Sequence, residues 1–164
     1  MFIPTIYIEN IKSENKSIEI SGNKLHHLKN VLRIRDEDKI NISNGKGLVF
    51  YGKFANNCVK INNSRMYERQ NSLKIFIPYL RERNRFRFLI EKLTELNVNE
   101  IHIGMTENTQ NTNYNKSKIS DWAISALEQS GSAYLPSLFF PDNLNFSIFR
   151  TCLDISGEKL NKNR

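Results

Sequence analysis

Apolar and polar residues alternate over short stretches in the first part of the chain, and apolar residues recur at three- and four-residue steps further on. Phe2 to Ile8 has a strand pattern, with Pro4 suiting it to a sheet edge. Lys12 to Lys16 is a polar turn, and Ser17 to Ile20 resumes the strand pattern. Ser21-Gly22-Asn23 opens a helix whose Leu25, Leu28, Val31 and Leu32 share one face, with His26, Lys29 and Arg33 on the other. Asp36 to Asp38 ends it. Lys39 to Ile42 alternates as a strand, Leu48 to Phe54 returns, and Cys58 to Ile61 forms another. Asn44-Gly45 between them predicts a tight primed hairpin with positive φ at both residues. Short strands at this spacing with one helix indicate a small β-barrel. Ser64 to Ser72 is polar without a clear period and reads as a linker.

Leu73 to Pro78 is an apolar run of strand length, and Ile101 to Met105 alternates. Between them Arg81 to Val98 begins as an arginine-dense loop and continues as a helix with Phe86, Leu89, Ile90, Leu93 and Leu96 inward. Strand, helix and strand in about thirty residues make a βαβ unit, with parallel strands and a right-handed crossover. Ligands on open α/β sheets bind beyond the C-terminal ends of the strands. Here that position, Tyr79 to Arg87, is cationic and suits an anionic partner; a solvated charged loop over an ordinary βαβ core would look the same. Thr106 to Asn115 reads as a loop. A second helix covers Ser117 to Ser130 with Ile119, Trp122, Ala123, Ala126 and Leu127 inward, stopped by Gly131 and Pro136. Leu138 to Phe140 and Arg150 to Ile155 read as strands, and Gly157 to Arg164 as a frayed tail.

The 164 residues hold one ordinary domain or two small ones. The net charge of +7 and pI near 9.5 favour a polyanionic partner. That charge is front-loaded. Residues 1–72 carry twelve Lys and Arg against seven Asp and Glu, residues 73–105 six against four, and residues 106–164 six against six. Cys58 and Cys152 lack CxxC spacing and fit a reducing compartment. No apolar run is long enough to span a bilayer, and the N-terminus lacks the order of a signal peptide, so a cytoplasmic protein without a membrane partner is expected.

His26-His27 invites a metal reading, but neighbours on a helix point about 100° apart and no cysteine or acidic cluster completes a zinc site, so no metal is expected. Lys29 and Arg33 share one side of the predicted helix. With Lys24, Arg35 and Lys46 they would form a phosphate-binding face, which sets position rather than reads sequence; a merely solubilising face is the alternative. Ser130 has no triad partners at a recognisable spacing. Neither a GxGxxG nor a P-loop is present.

Ile3-Pro4, His26-His27-Leu28-Lys29-Asn30-Val31-Leu32-Arg33 and Ser43-Asn44-Gly45-Lys46-Gly47 resemble the N-terminal domain of the RsmE family, bacterial methyltransferases of uridine N3 in 16S ribosomal RNA. Glu91 to Val98 resembles that family's Lys-(x)2-Glu-Leu-Gly-Val block, and the likeness continues through Glu128-Gln129-Ser130-Gly131 with Pro136. It implies an α/β protein: a PUA-like RNA-binding β-barrel over residues 1–70, then a SPOUT-type parallel-sheet methyltransferase domain over 71–164. It further implies S-adenosylmethionine as cofactor, the small ribosomal subunit as partner, and a homodimer with the active site near the subunit boundary. The family's Gly-Pro-Glu-Gly-Gly loop and Leu-Gly…Arg-Leu-Arg segment are absent, so the expectation is a C-terminally truncated domain in a fragment or a decayed paralogue. An inactive rRNA-binding protein is the alternative function. Asn97 replaces a glycine of the family pattern, Ser132 a common arginine, and Asn108 a usual basic residue.

Methylation at N3 requires that nitrogen to lose its proton, on a base whose Watson–Crick edge is exposed. Cations that stabilise the developing anion are the expected catalytic groups. Arg85 and Lys92 are the candidates, seven residues apart and so near one helix face, with Glu95 to orient Lys92. The RNA-binding candidates are Lys24, His27, Lys29, Arg33, Arg35, Lys46, Arg81 and Arg83.

Overall fold

The computed structural model describes residues 3–69, 72–106, 109 and 115–141. The front half is a five-stranded curled sheet, a half-barrel, in the order β1-β3-β4-β5-β2. Its strands are β1 (Thr5–Tyr7), β2 (Ser17–Glu19), β3 (Lys39–Ser43), β4 (Leu48–Ala55) and β5 (Cys58–Met66). β1 joins the edge in parallel to β3, and β3, β4, β5 and β2 run antiparallel. β1, following Pro4, sits at an edge as proline requires. Alternation along β3 and β4 buries Ile40, Ile42, Leu48, Phe50 and Phe54, and Ile6, Ile20 and Val59 complete the core.

Helix α1 (Gly22–His26) passes directly into a π-helical turn, His27–Val31. This corrects the predicted apolar face. Leu28 is fully buried in the front core, but Val31 is 59% exposed and Leu32 38%. The wider i→i+5 winding, closed by the Leu32 N–H donating to the His27 carbonyl, advances each residue by less than 100° and carries Val31 off the face. Arg33 lies past the turn at φ 55°, so it does not share a helical side with Lys29. The Asn44-Gly45 prediction also changes. Asn44 to Gly47 form a four-residue loop with positive φ at Gly45 and Gly47, and the Asn44 Oδ1 accepts from the Lys46 and Leu48 amides. β5 runs on to Met66, so the first three residues of the segment expected as a linker, 64–66, are strand.

The rear half is a three-stranded parallel sheet, β6 (Lys74–Pro78), β7 (Glu100–Gly104) and β8 (Ser137–Phe139), in that spatial order. Helix α2 (Arg83–Glu95) connects the first pair and α3 (Lys116–Ser130) the second. Right-handed crossovers that advance in one direction put both helices on the same face. There the Phe86 and Trp122 rings meet edge-on, centroids 6.1 Å apart. Ile77, Ile90, Leu93, Ile101, Ile103, Ile119 and Ala123 fill the layer between helices and sheet. All five residues expected inward on α3 are buried. On α2, Phe86, Ile90 and Leu93 are buried, but Leu96 is 73% exposed because the helix ends there. Arg83 and Arg85, expected in a loop, are helical. The strand expected at 150–155, the tail from 157, Cys152, Asn108 and most of the 106–115 loop lie outside the described residues.

Phe86 is fully buried between Tyr79 and Trp122. Phe86→Ala should lower the unfolding free energy by ~3–5 kcal/mol in denaturant titrations. At Gly47, with φ 100°, a Cβ would stand 2.6 Å from the Tyr134 hydroxyl and 2.9 Å from the Tyr67 carbonyl. Gly47→Ala should cost at least ~1–3 kcal/mol through crowding alone, with further strain from the left-handed backbone, read in the same titration.

Candidate nucleic-acid interface

The two sheets meet through a small set of polar contacts. The Glu128 carboxylate, near the end of α3, accepts the Tyr7 backbone N–H of β1 at 2.8 Å. Lys24 on α1 donates to the Tyr7 carbonyl, lies 3.8 Å from Glu128 and covers the Tyr7 ring. The 44–47 loop reaches across: the Gly47 N–H donates to the Ala133 carbonyl, and the Leu135 N–H donates to the Gly45 carbonyl. The Tyr134 hydroxyl donates to the Tyr67 carbonyl at 2.6 Å. Glu128-Gln129-Ser130-Gly131, legible in sequence only as a helix terminus, is thus also a fastening to the front sheet.

Beside this junction opens a cleft of about 350 Å³, lined by Tyr67, Arg69, Asn97, Ser132 and Tyr134 among others. These residues lie just before β6, just before β7 and just before β8. The cleft therefore stands at the N-terminal edge of the parallel sheet, where α2 and α3 end. Both helices stop on a left-handed residue that lines it, Asn97 at φ 58° and Gly131 at φ 70°. At α2 the Asn97 N–H donates to Thr94 and the Val98 N–H to Leu93, the paired bonds of a Schellman end. Asparagine is one of the few residues that accept this conformation without a glycine, which accounts for Asn97 at the family's glycine position. Its Oδ1 accepts the Ser132 hydroxyl at 2.5 Å.

Arg69 is the cation of the cleft. Its guanidinium stacks over the Tyr134 ring at 4.7 Å and donates through Nη2 to the Val98 carbonyl at 3.0 Å. Its Nε is buried and has no hydrogen-bond partner among the described residues. Burial pulls the group's pKa down, yet an arginine stays charged at neutral pH. Arg65 stacks over Tyr67 at 4.8 Å, and the Tyr67 hydroxyl shares a 2.5 Å hydrogen bond with that of Tyr51. Burial and that bond push Tyr51 up to about 12.

The residues singled out in the sequence are dispersed by comparison. His27, Lys29, Arg33 and Arg35 are exposed around the π turn. Lys24 faces the junction, and Lys46 lies 3.9 Å from Glu9. Arg81, Arg83 and Arg85 stand at the opposite, C-terminal edge of the sheet. There Arg83 lies over Trp122, and Arg85 pairs with Glu82 at 3.2 Å. Lys92 pairs with Glu95 at 2.7 Å, about 10 Å along α2 from Arg85. Arg65, Tyr67, Arg69 and Tyr134 were missed, although Arg-x-Tyr-x-Arg at alternate positions is the signal of one face of an extended segment. Among the described residues no three potential metal ligands gather, and no helix is long and apolar enough to cross a membrane.

Residues 68–152, just over half of the chain, match the profile of the RNA methyltransferase domain family, and residues 20–55 match that of the RNA methyltransferase PUA domain. Two proteins named ribosomal RNA small subunit methyltransferase E, from Buchnera aphidicola of Schizaphis graminum and of Acyrthosiphon pisum, are each 29% identical to it. They align over 85% and 87% of this chain but only 62% and 61% of their own length. A predicted RNA methyltransferase from Thermotoga maritima superposes with a TM-score of 0.71 at 24% identity, covering 87% of this chain and 67% of that one. A ribosomal RNA small subunit methyltransferase E from Neisseria gonorrhoeae, solved bound to S-adenosyl methionine, gives 0.71 at 21%, covering 85% and 62%. The chain thus spans about three fifths of the curated relatives it matches. The resemblance seen in the motifs is borne out, and the chain belongs to the RNA methyltransferase family that includes ribosomal RNA small subunit methyltransferase E.

Proposed function

We propose that this protein acts on small-subunit ribosomal RNA, with transfer of a methyl group from S-adenosylmethionine to N3 of a uridine as the reaction. The observation that carries the reading is the RNA methyltransferase match over 68–152, lying on a parallel sheet whose C-terminal edge is cationic. Residues 1–70 form the RNA-gripping domain in this reading, and 71–164 belong to the methyltransferase domain. The exposed His27, Lys29, Arg33 and Arg35 would draw in and position the phosphate backbone, with Lys24 and Lys46 as further cations elsewhere on the front half. Arg81 and Arg83 would continue the grip at the C-terminal edge, the edge at which open α/β sheets hold their ligands.

Bound S-adenosylmethionine would supply an electrophilic methyl group. The described residues do not by themselves make its pocket: the arginines at the C-terminal edge repel a sulfonium, and the cleft with Arg69 stands at the other edge. What this chain's side chains offer is electrostatic. The uracil N3 must shed its proton, and the negative charge that develops spreads onto the flanking carbonyl oxygens. Arg85, paired with Glu82, is the first cation proposed to stabilise that charge, and Lys92, paired with Glu95, is the second. A homodimer belongs to the same proposal, and the exposed Phe88 and Leu96 give α2 apolar surface on its outer side.

Incubation with unmodified small-subunit ribosomal RNA and labelled S-adenosylmethionine should yield 3-methyluridine on nuclease digestion and mass spectrometry. Salt-sensitive RNA binding without methyl incorporation would instead make the chain an inactive RNA-binding member of the family. Neutralising Lys29, Arg33 or Arg35 singly should weaken RNA binding for all sequences alike and lower the slope of log affinity against log salt by roughly 0.7–0.9 per lost phosphate contact.

A further inference from the structure

The cleft between the sheets has features that the phosphate grip and the methyl transfer do not use. Arg69, the cation among its lining residues, keeps a buried Nε–H without an acceptor among the described residues, and such a donor is costly to leave unmade. The Asn97 amide oxygen is engaged by Ser132, so its NH2 group is the part left to donate. Two tyrosines stand beside them, Tyr67 and Tyr134, each with an arginine over its ring. At about 350 Å³ the cavity is at the small end of the ~300–1,000 Å³ range for ligand sites.

The local field decides what would enter. α2 and α3 both end at the cleft, and helix C-termini carry partial negative charge. Arg69 answers part of that charge by donating to the Val98 carbonyl just past the end of α2. A phosphate placed here would face the arginine but also two helix C-termini. A neutral, flat group with carbonyl acceptors on its rim meets no such opposition. Its carbonyl rim could face the Arg69 guanidinium and the Asn97 amide. Unpaired bases present such a group, and proteins recognise them by aromatic and guanidinium stacking with hydrogen bonds to the edges.

We propose that this cleft holds one unpaired, carbonyl-bearing base of the bound RNA, with its carbonyl edge on Arg69 and Asn97 and its face beside the Tyr67 and Tyr134 rings. The proposal rests on the RNA-binding reading above and adds a base-recognition site to it. The base is not the methyl acceptor, because the cleft opens at the N-terminal edge of the parallel sheet while the cationic edge is the C-terminal one. It is a second base of the same strand, held so that the strand's register on the protein is fixed. The alternating Arg65, Tyr67 and Arg69 extend the stacking surface from the end of β5 to the cleft.

The test compares labelled ten-nucleotide oligouridylate and oligoadenylate by fluorescence anisotropy over a series of salt concentrations. The whole chain should prefer oligouridylate about five- to tenfold, since adenine has no carbonyl to offer. Arg69→Met should abolish that preference, while the salt slope changes by much less than the ~0.7 that a lost single-strand phosphate contact gives. Arg69 also supports the Val98 carbonyl, so a measurement on the unaltered chain accompanies the variant. The Arg69 Nε–H resonance should shift on addition of uridine and stay in place with inorganic phosphate. A shift with phosphate but not uridine, or with neither, overturns the proposal. So does tight strand binding whose base preference survives in Arg69→Met, and that result leaves the RNA reading intact. A chain that binds no strand of any sequence refutes both.

Discussion

A backbone N–H on the first strand of the front sheet donates to a carboxylate near the end of the last helix described, and the placement of everything between the sheets depends on that bond. Tyr7 and Glu128 are 121 residues apart in sequence, so the contact forms only when both halves have folded and met. Lys24 closes the arrangement by donating to the Tyr7 carbonyl and standing near the same carboxylate. A partly exposed ion pair of this kind contributes little by itself, on the order of 0–1 kcal/mol. The backbone bonds of the 44–47 loop to Ala133 and Leu135 run alongside it. The loop can lie that close only because positions 45 and 47 carry no Cβ. At Gly45 a side chain would meet the Tyr7 ring at 2.8 Å, and at Gly47 the Tyr134 hydroxyl at 2.6 Å.

This junction leaves the rear sheet with two edges of different electrical character. At the C-terminal edge, arginines gather around the start of α2. At the N-terminal edge, two helices present their carbonyl ends, and Arg69 is drawn in against them. The first edge suits anionic groups, and the second suits neutral hydrogen-bonding groups. The front sheet adds a diffuse positive face around its π turn. A nucleic-acid strand that touches all three would be held by charge along its backbone and located by a separate contact to a base, the division of labour general to protein–nucleic acid interfaces.

Much of this was legible in the residues, and the exceptions have local causes. Helix α3 announces itself because Ile119, Trp122, Ala123, Ala126 and Leu127 keep one period from end to end and Gly131 stops it; all five are buried. Leu96 kept the same period on α2 but fell on the terminal residue, where the chain turns away. Val31 was misplaced because periodicity assumes 3.6 residues per turn and the backbone there winds wider. Asn44-Gly45 carried the composition of a two-residue turn, yet the second glycine at 47 and the need to reach Ala133 made a longer loop. Lys24 read as a free cation because nothing local reveals that a carbonyl and a carboxylate from distant segments will face it. The cleft was the hardest to foresee. Its parts come from three separate approaches to the rear strands, and the alternating arginines and tyrosine at 65, 67 and 69 lay inside a stretch dismissed as aperiodic. Asn97 and Ser132, two departures from the family pattern, prove to be hydrogen-bonded to each other.

The central claim is that the two sheets form one cooperative body, fastened at Tyr7, Glu128 and the 44–47 loop. Native-state hydrogen exchange in increasing denaturant, read by mass spectrometry, measures it most directly. If the claim holds, the amides of β3 to β5 and those of β6, β7 and α3 share one opening free energy and one denaturant dependence. If the front sheet instead opens with its own lower free energy while the rear stays protected, the fastening does not couple the halves, and a cleft of fixed shape between them is untenable.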